Sequence, residues 1–239
     1  MTAILLCWFG CAHAQEDVDT IKHLREVIVQ GYLTKQPILQ SPASVAILDK
    51  NELSKNSQQS LLPAVNTVPG IRMEERSPGS YRLSIRGSLL RSPFGVRNIK
   101  VYLNNLPLTD AGGNTYINLV DPALVDRLEF LKGPDGSLFG ANSGGVVLME
   151  SITGSPALTA SVTGGSYGMF HENLRMQNSS GKTEWSLGQA YQRADGYRQH
   201  SFMKRLTGIG TGAVKYGLDN TMKLFVLYSD LHYQTPGGL

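Results

Sequence analysis

Residues 158–163 read Leu-Thr-Ala-Ser-Val-Thr, a strict alternation of apolar and polar side chains. The same period of two recurs around Leu174, Leu187 and Leu224, and turns such as Gly164-Gly165 separate segments of about ten residues. Alternation of this kind predicts β-strands with one apolar and one polar face. Such strands are typical of a transmembrane β-barrel wall, although a soluble β-sandwich produces the same pattern.

The composition of the 239 residues is that of a β-rich chain with little charge. Charged residues make up 17%, 26 residues are glycine, and many polar uncharged residues stand between the apolar positions. The 22 basic and 19 acidic residues leave a net charge of +3, which is too balanced to predict nucleic-acid binding. No apolar run of about 18 residues occurs, so the sequence predicts no transmembrane helix, whereas alternating strands remain compatible with a membrane.

Residues 1–14 have the pattern of a secretory signal peptide. The apolar segment Ile4–Phe9 leads to Ala12-His13-Ala14, which is an Ala-x-Ala cleavage pattern. Both cysteines, Cys7 and Cys11, precede the expected cleavage point, so the exported chain is expected to carry no disulfide and no thiolate. An apolar N-terminal helix or strand is the alternative, because Met1–Ala3 lacks the usual basic residue. Export favours the barrel over the sandwich.

Residues 15–36 are predicted to form a mobile periplasmic arm. They are polar and charged except for the apolar patch Val27–Val29, so the segment cannot bury enough apolar surface to fold alone. A short β-prone stretch in such an arm invites strand addition by a partner protein. The alternative is that the patch forms the first strand of the domain that follows.

Residues 37–151 are predicted to form a compact α+β domain. Strands are expected at residues 45–48, 82–86, 101–103, 128–131 and 146–149. Asp49 and Glu52 have capping-box spacing and predict a helix start, and Ser57 is expected to cap a second helix over residues 58–65. Asp121-Pro122 predicts a further short helix, with the aspartate as N-cap and the proline at the first helical position.

The sequence contains no recognisable machinery for catalysis. Its five histidines lie far apart and have no neighbouring carboxylate cluster, so no metal site is predicted. Gly181-Lys182-Thr183 is similar to the end of a phosphate-binding loop, but Met176 occupies the place of that loop's first glycine. We therefore expect a protein that is not an enzyme and that needs no cofactor.

Several segments follow one another in an order and spacing that a known family shares. They are 26–31 (Glu-Val-Ile-Val-Gln-Gly), 42–47 with 52–53 and 61–71, 84–87 (Ser-Ile-Arg-Gly), 101–108, 125–140 and 144–147. Together they resemble the N-terminal part of a TonB-dependent outer-membrane receptor. Two departures leave this interpretation intact. Asn104-Asn105 replaces the usual Asp-Gly of the central turn but can still adopt positive φ, and Lys132 keeps the charge of the usual arginine.

The resemblance implies an α+β plug domain, residues 37–151, seated inside an antiparallel transmembrane β-barrel of about 22 strands. Residues 152–239 would then form the first five or so strands, a partial barrel. The implied partners are TonB, the periplasmic energy transducer, together with outer-membrane lipid and a ferric chelate or similar substrate. No nucleic acid is implied.

The resemblance also implies roles for individual residues. The segment that couples to TonB would be Glu26, Val27, Ile28 and Val29. Contacts between plug and barrel would be made by Arg86, Arg127 and Glu129, with the two arginines paired to glutamates of the barrel. Substrate contacts would come from Arg76, Arg91, Ser92, Asn114 and Tyr116.

The function expected is therefore that of the N-terminal part of an outer-membrane receptor for a scarce nutrient, above all a ferric siderophore or a ferric-citrate-like chelate. The alternative is an exported periplasmic or surface binding module with a plug-like fold and no pore. Five strands leave two open edges, so we also expect further strands beyond Leu239 and no transport by residues 1–239 alone.

Overall fold

The structure, a computed structural model, describes residues 27–29, 36–77, 79–88, 95–140, 144–152, 155–217 and 220–236. The predicted signal peptide, residues 1–14, lies outside the described residues. The same holds for most of the predicted arm, including Glu26.

The part of the chain up to Ser151 consists of short strands and shorter helices. Its strands are β1 (Ile28–Val29), β2 (Gln36–Pro37), β3 (Val45–Leu48), β4 (Ile71–Ser77), β5 (Ser80–Ile85), β6 (Ile99–Leu103), β7 (Leu106–Pro107), β8 (Val125–Lys132) and β9 (Gly145–Ser151). Its helices are α1 (Lys50–Ser54) and α2 (Leu62–Val65), with single 3-10 turns at Ile38–Gln40, Ile117–Leu119, Pro122–Leu124 and Pro134–Phe139. Within the described ranges, no helix is both long and apolar enough to cross a membrane.

A mixed five-stranded sheet organises this first part, in the order β3-β8-β9-β6-β7. Strands β6 and β9 are parallel, whereas β9 and β8 are antiparallel. One face of the sheet carries the core, with Ile99, Leu103 and Phe130 almost fully buried. The β4-β5 hairpin and the segment before β8 add Ile85 and Leu124 to the same cluster. We call this unit the plug.

The predicted helix starts at Asp49 and Ser57 have different outcomes. The capping box of α1 is confirmed, because Glu52 N donates to Asp49 Oδ1 at 2.9 Å and Asp49 N donates to the Glu52 carboxylate at 3.1 Å. The prediction that Ser57 caps a helix over 58–65 is wrong, since α2 begins only at Leu62. Pro63 explains the late start: proline has no N–H to donate and is tolerated in the first turn of a helix, not further inside it.

Two predicted local conformations are present in the plug. Asn104 and Asn105 form the turn between β6 and β7 with φ angles of 48° and 69°, as expected of residues that tolerate the left-handed region. Asp121 caps the 3-10 turn Pro122–Leu124, because Ala123 N donates to its Oδ1 at 2.9 Å. This hydrogen bond also fixes the position of the Asp121 carboxylate for the contacts described below.

The part of the chain after Ser151 forms a second sheet, which we call the wall. Its strands are β10 (Ala157–Gly165), β11 (Met169–Ser180), β12 (Thr183–Ala194), β13 (Met203–Tyr216) and β14 (Asn220–Tyr233). They lie in sequence order, and each pairs antiparallel with the next. This is an up-and-down arrangement of long strands, as the alternation predicts.

In the wall the apolar face is exposed and the polar face is buried, which is the reverse of a soluble sheet. Apolar side chains are exposed on the outer face, with Leu158 at 69%, Val162 at 71% and Leu224 at 64%. The inner face packs on the plug and is largely polar; its buried members include His171, Asn173, Arg175, Ser186, Gln192, Arg205 and Thr207. A β-sandwich buries its apolar faces, so the exposed apolar face favours the transmembrane wall over the sandwich.

Candidate functional site

The connections between wall strands differ in length at the two ends of the sheet. At one end, residues 181–182 join β11 to β12, and 217–219 join β13 to β14. At the other end, residues 166–168 join β10 to β11, and the longer segment 195–202 joins β12 to β13. We call these ends the short-turn end and the long-connection end.

A cavity of about 320 Å³ lies between plug and wall at the long-connection end. Tyr233, the last residue of β14, lines it from the wall. The plug lines it with residues 79–81, 95–97 and 114–118, so the predicted substrate residues Asn114 and Tyr116 lie together here. Of the other predicted substrate residues, Arg76 in β4 is not part of this lining, and Arg91 and Ser92 lie outside the described residues.

Hydrogen bonds donated to one carboxylate fix the loop that carries Asn114 and Tyr116. Asp110 accepts from Asn114 N at 2.9 Å and from the Tyr116 hydroxyl at 3.1 Å. Arg97 Nε donates to Asn114 Oδ1 at 3.0 Å. The Tyr116 hydroxyl thus donates to Asp110, and the cavity presents the Arg97 guanidinium, whose Nη N–H groups suit an anionic ligand rich in hydrogen-bond acceptors.

The same bonds shift two acid–base equilibria. The backbone hydrogen bond from Asn114 holds the pKa of Asp110 below its ordinary value, so the carboxylate is ionised near neutral pH. The hydrogen bond to Asp110 raises the pKa of the Tyr116 phenol, which stays protonated. The loop thus keeps one fixed charge pattern over the physiological pH range.

A buried polar cluster joins the plug to the inner face of the wall. His171 Nε2 on β11 lies 3.1 Å from Asp121 Oδ1, and Arg205 on β13 donates to Asp121 Oδ2 at 2.9 Å and to Gln192 Oε1 at 2.6 Å. All four side chains are almost fully buried. Burial opposes ionisation of Asp121, but the hydrogen bond with His171 and the charge of Arg205 outweigh it, so the pKa of Asp121 is lowered.

A second ionic contact lies nearby. Arg175 on β11 pairs with Asp126 of the plug and donates to the Ala123 carbonyl at 3.0 Å. In both clusters the plug supplies the carboxylate and the wall supplies the arginine. The predicted contact has the opposite polarity, with plug arginines facing barrel carboxylates, and strands β10–β14 do not show it in their described residues.

The predicted contact residues Arg86 and Arg127 lie in different places. Arg86 follows β5 with a φ of 51° and lies close to Lys132, whose pKa is lowered by burial and by the charge of Arg86. Lys132 Nζ donates to the Pro69 carbonyl at 2.8 Å. In the sequence, Lys132 is notable only as a lysine in place of the usual arginine. In the structure it is a second cation beside Arg86.

Arg127 lies against the arm. Its Nη2 donates to the Ile28 carbonyl and lies 3.4 Å from a carboxylate oxygen of Glu129. Ile28 pairs with Pro37 and Val29 with Gln36, so the predicted coupling residues 27–29 form one side of the β1-β2 pair. Val29 is fully buried, whereas Val27 and Ile28 are 44% and 47% exposed.

Residues 37–147 match the family described as TonB-dependent Receptor Plug Domain. Residues 37–147 therefore form the plug domain of a TonB-dependent receptor. This domain is the first part of the fold described above, and the wall strands follow it directly.

Related proteins extend the similarity of this TonB-dependent receptor beyond the plug. The vitamin B12 transporter BtuB of Vibrio vulnificus is 25% identical over 199 residues, which cover 82% of this chain and 31% of that protein. The ferrichrome outer membrane transporter/phage receptor of Escherichia coli K12 is 30% identical over 125 residues, covering 51% of this chain and 16% of that protein.

Among solved structures, the pyoverdine outer membrane receptor FpvA of Pseudomonas aeruginosa PAO1, bound to pyoverdine, has the same fold. It superposes with a TM-score of 0.71 at 19% identity, over 85% of this chain and 30% of that chain. The chain thus spans less than a third of the length of each of these three proteins.

The comparisons confirm three expectations for this TonB-dependent receptor. The fold class, an α+β plug followed by antiparallel barrel strands, is confirmed by the family match and by the shared fold. The outer-membrane location is confirmed by relatives that are outer-membrane receptors and transporters. Those relatives are not enzymes, which agrees with the expected absence of catalysis.

Proposed function

We propose that this TonB-dependent receptor takes up a ferric chelate, either a siderophore or a citrate-like complex, through the outer membrane. The observation that carries the proposal is the cavity with Arg97, Asn114 and Tyr116 at the long-connection end. Outer-membrane barrels have short periplasmic turns and longer extracellular loops, so this end is assigned to the outside. An anionic chelate with many oxygen acceptors fits the donors that line the cavity.

The opposite end is assigned to energy coupling. Ser151, at the end of β9, lines a cavity together with Ser179 and Glu184 beside the short turn 181–182. Arg127 pairs in register with Glu150, one residue before Ser151, so the β1 strand that it contacts lies toward the periplasmic side. There residues 26–29 would add to TonB as a strand, and TonB would pull on the plug.

The predicted contact between Arg86 and carboxylates of the barrel is proposed in a modified form. Arg86, with Lys132 beside it, forms a like-charged pair that is favourable only near carboxylates. We propose that wall strands outside β10–β14 supply those carboxylates, and that the two clusters at Asp121 and Asp126 hold the opposite side of the plug.

Uptake of radiolabelled iron tests the substrate class. The intact gene is deleted from the host, and cells are supplied with iron as ferric citrate, ferrichrome, ferrioxamine or ferric enterobactin. Loss of uptake for one of these chelates, restored by the intact gene, is the expected result. Arg97→Ala should weaken the restored uptake, while Arg72→Ala, which alters an exposed ion pair with Glu74, should not. Normal iron uptake together with lost uptake of cyanocobalamin or hemin would contradict the ferric chelate.

The second candidate, a binding module without a pore, makes a different physical prediction. A soluble module should not expose a continuous apolar face such as the outer face of the wall, which runs from Leu158 on β10 through Leu187 on β12 to Val226 on β14. Recovery in the outer-membrane fraction with heat-modifiable migration on gels is expected of the receptor. Recovery as a soluble periplasmic protein would favour the module.

A further inference from the structure

We propose that Arg127 caps the free edge of the coupling strand β1, and that the cap must open before a partner strand can pair there. The inference rests on the proposed coupling function of residues 26–29 and adds a control element to it. It is drawn from the backbone geometry of β1 and from the position of the Arg127 guanidinium.

The pairing of β1 with β2 determines which backbone groups remain available. Ile38 N donates to the Val27 carbonyl at 2.9 Å, so Val27 directs its backbone groups toward β2. In an antiparallel pair, successive residues direct their N–H and C=O groups to alternate sides. The Ile28 groups therefore point away from β2, and Pro37 opposite Ile28 has no N–H to offer.

The Ile28 carbonyl is thus the acceptor that an added strand would need, and it is the atom to which Arg127 donates. A guanidinium in this place satisfies the edge as an incoming strand would. Side-chain capping of an exposed edge by a positive charge also protects it from unwanted pairing.

Glu129 is the acceptor that remains for Arg127 when the cap opens. Its carboxylate is buried in β8 and lies 3.4 Å from Arg127 Nη2. Arg127 Nη2 contacts both acceptors at once, and its side chain is about one quarter exposed. When the cap opens, the guanidinium leaves the Ile28 carbonyl and keeps its contact with Glu129, so that its charge stays paired.

The test measures binding of the soluble C-terminal domain of TonB to the intact receptor in outer-membrane vesicles, with no substrate present. Arg127→Gln removes the charged donor and should tighten this binding by about tenfold, the factor expected for one hydrogen bond to a charged group. Arg72→Gln is the matched control and should bind as the wild type does. Wild-type binding by Arg127→Gln would overturn the cap.

Two further variants separate the cap from general damage to β8. Glu129→Gln disturbs the same strand but leaves Arg127 on Ile28, so substrate-free binding should not tighten; tightening as large as that of Arg127→Gln would overturn the proposal. If Arg127→Gln does not assemble, Arg127→Lys serves instead, because a lysine donor has a shorter reach and lacks the planar fork. It should tighten binding by a smaller factor, and binding equal to wild type would contradict the cap.

Ile28→Pro distinguishes failure of the cap from failure of the coupling assignment, because it removes the N–H that β1 directs to its free edge. If Ile28→Pro abolishes TonB binding while Arg127→Gln binds as wild type, only the cap is overturned. If Ile28→Pro binds TonB as strongly as wild type, the coupling assignment of residues 26–29 falls, and the cap falls with it.

Discussion

At the scale of single residues, the contact between plug and wall depends most on Asp121. Its carboxylate accepts from Ala123 N and is bound by His171 and Arg205, so it joins the local fold of the plug to two wall strands. Arg205 is almost fully buried. A buried arginine without its partner is costly because the charge is neither hydrated nor neutralised.

Asp121→Asn should therefore loosen the plug. We expect a loss of about 3 kcal/mol in the stability of the seated plug, since removing one partner of a buried ion pair leaves an uncompensated charge. The measurement is the urea concentration at which protease cleaves the plug of the receptor in outer membranes. Asp195→Asn, which alters an exposed carboxylate of the wall, is the control. Equal urea midpoints for the two variants would show that Asp121 does not hold the plug.

The lowered pKa of Asp121 predicts how this contact depends on pH. A carboxyl group with a lowered pKa in the folded state adds stability above its unfolded pKa, about 3.9, and loses it as pH falls through the folded value. Protease protection of the plug should thus stay constant between about pH 5 and 8 and decline only below about pH 4. A decline that begins already at about pH 6 would contradict the assignment of this pH dependence to Asp121.

The sequence predicts some of these residues better than others, for physical reasons. Asp121 is recognisable as a helix cap because Asp-Pro is a local signal, and the structure confirms it. Its partners Arg205 and His171 lie more than 45 residues away on strands whose register no local pattern determines. The available signal was weaker: a histidine and an arginine on the polar face of alternating strands must point at something inside the wall.

At the scale of elements, the proposed coupling to TonB depends on β1. Ile28→Pro removes the backbone N–H that β1 directs to its free edge, so strand addition should fail. We expect uptake of the radiolabelled chelate to be lost while binding of that chelate to cells persists, because the cavity lies at the opposite end. Unchanged uptake would contradict the role of β1.

Elements with strong local signals are also the ones that sequence analysis predicts well. The α1 capping box and the wall strands follow from spacing and alternation alone. The length of α2 does not, because Ser57 and Pro63 give competing start signals and the proline wins. The pairing of β6 parallel to β9 is likewise nonlocal, since more than 40 residues separate the two strands.

At the scale of the whole molecule, the wall is polar on the face toward the plug and apolar on the opposite face. The plug directs carboxylates toward the wall. The inner face of the wall supplies the arginine and histidine side chains that pair with them, and the outer face of the wall is apolar. This order is opposite to that of a soluble sheet and is the order that a bilayer requires. A polar contact thus lies between plug and wall, with the proposed substrate cavity and the proposed coupling strand at opposite ends of the plug.

The central claim, that the arm couples this plug to TonB, is tested most directly by photo-crosslinking in living cells. A photoreactive amino acid replaces Val27 in the intact receptor, and the matched control replaces Leu106, which has similar exposure but lies on β7 at the far edge of the plug sheet. The account predicts a covalent adduct with TonB from position 27 and little from position 106. No TonB adduct from position 27 in cells that take up iron through this receptor, or equal adducts from both positions, would contradict it.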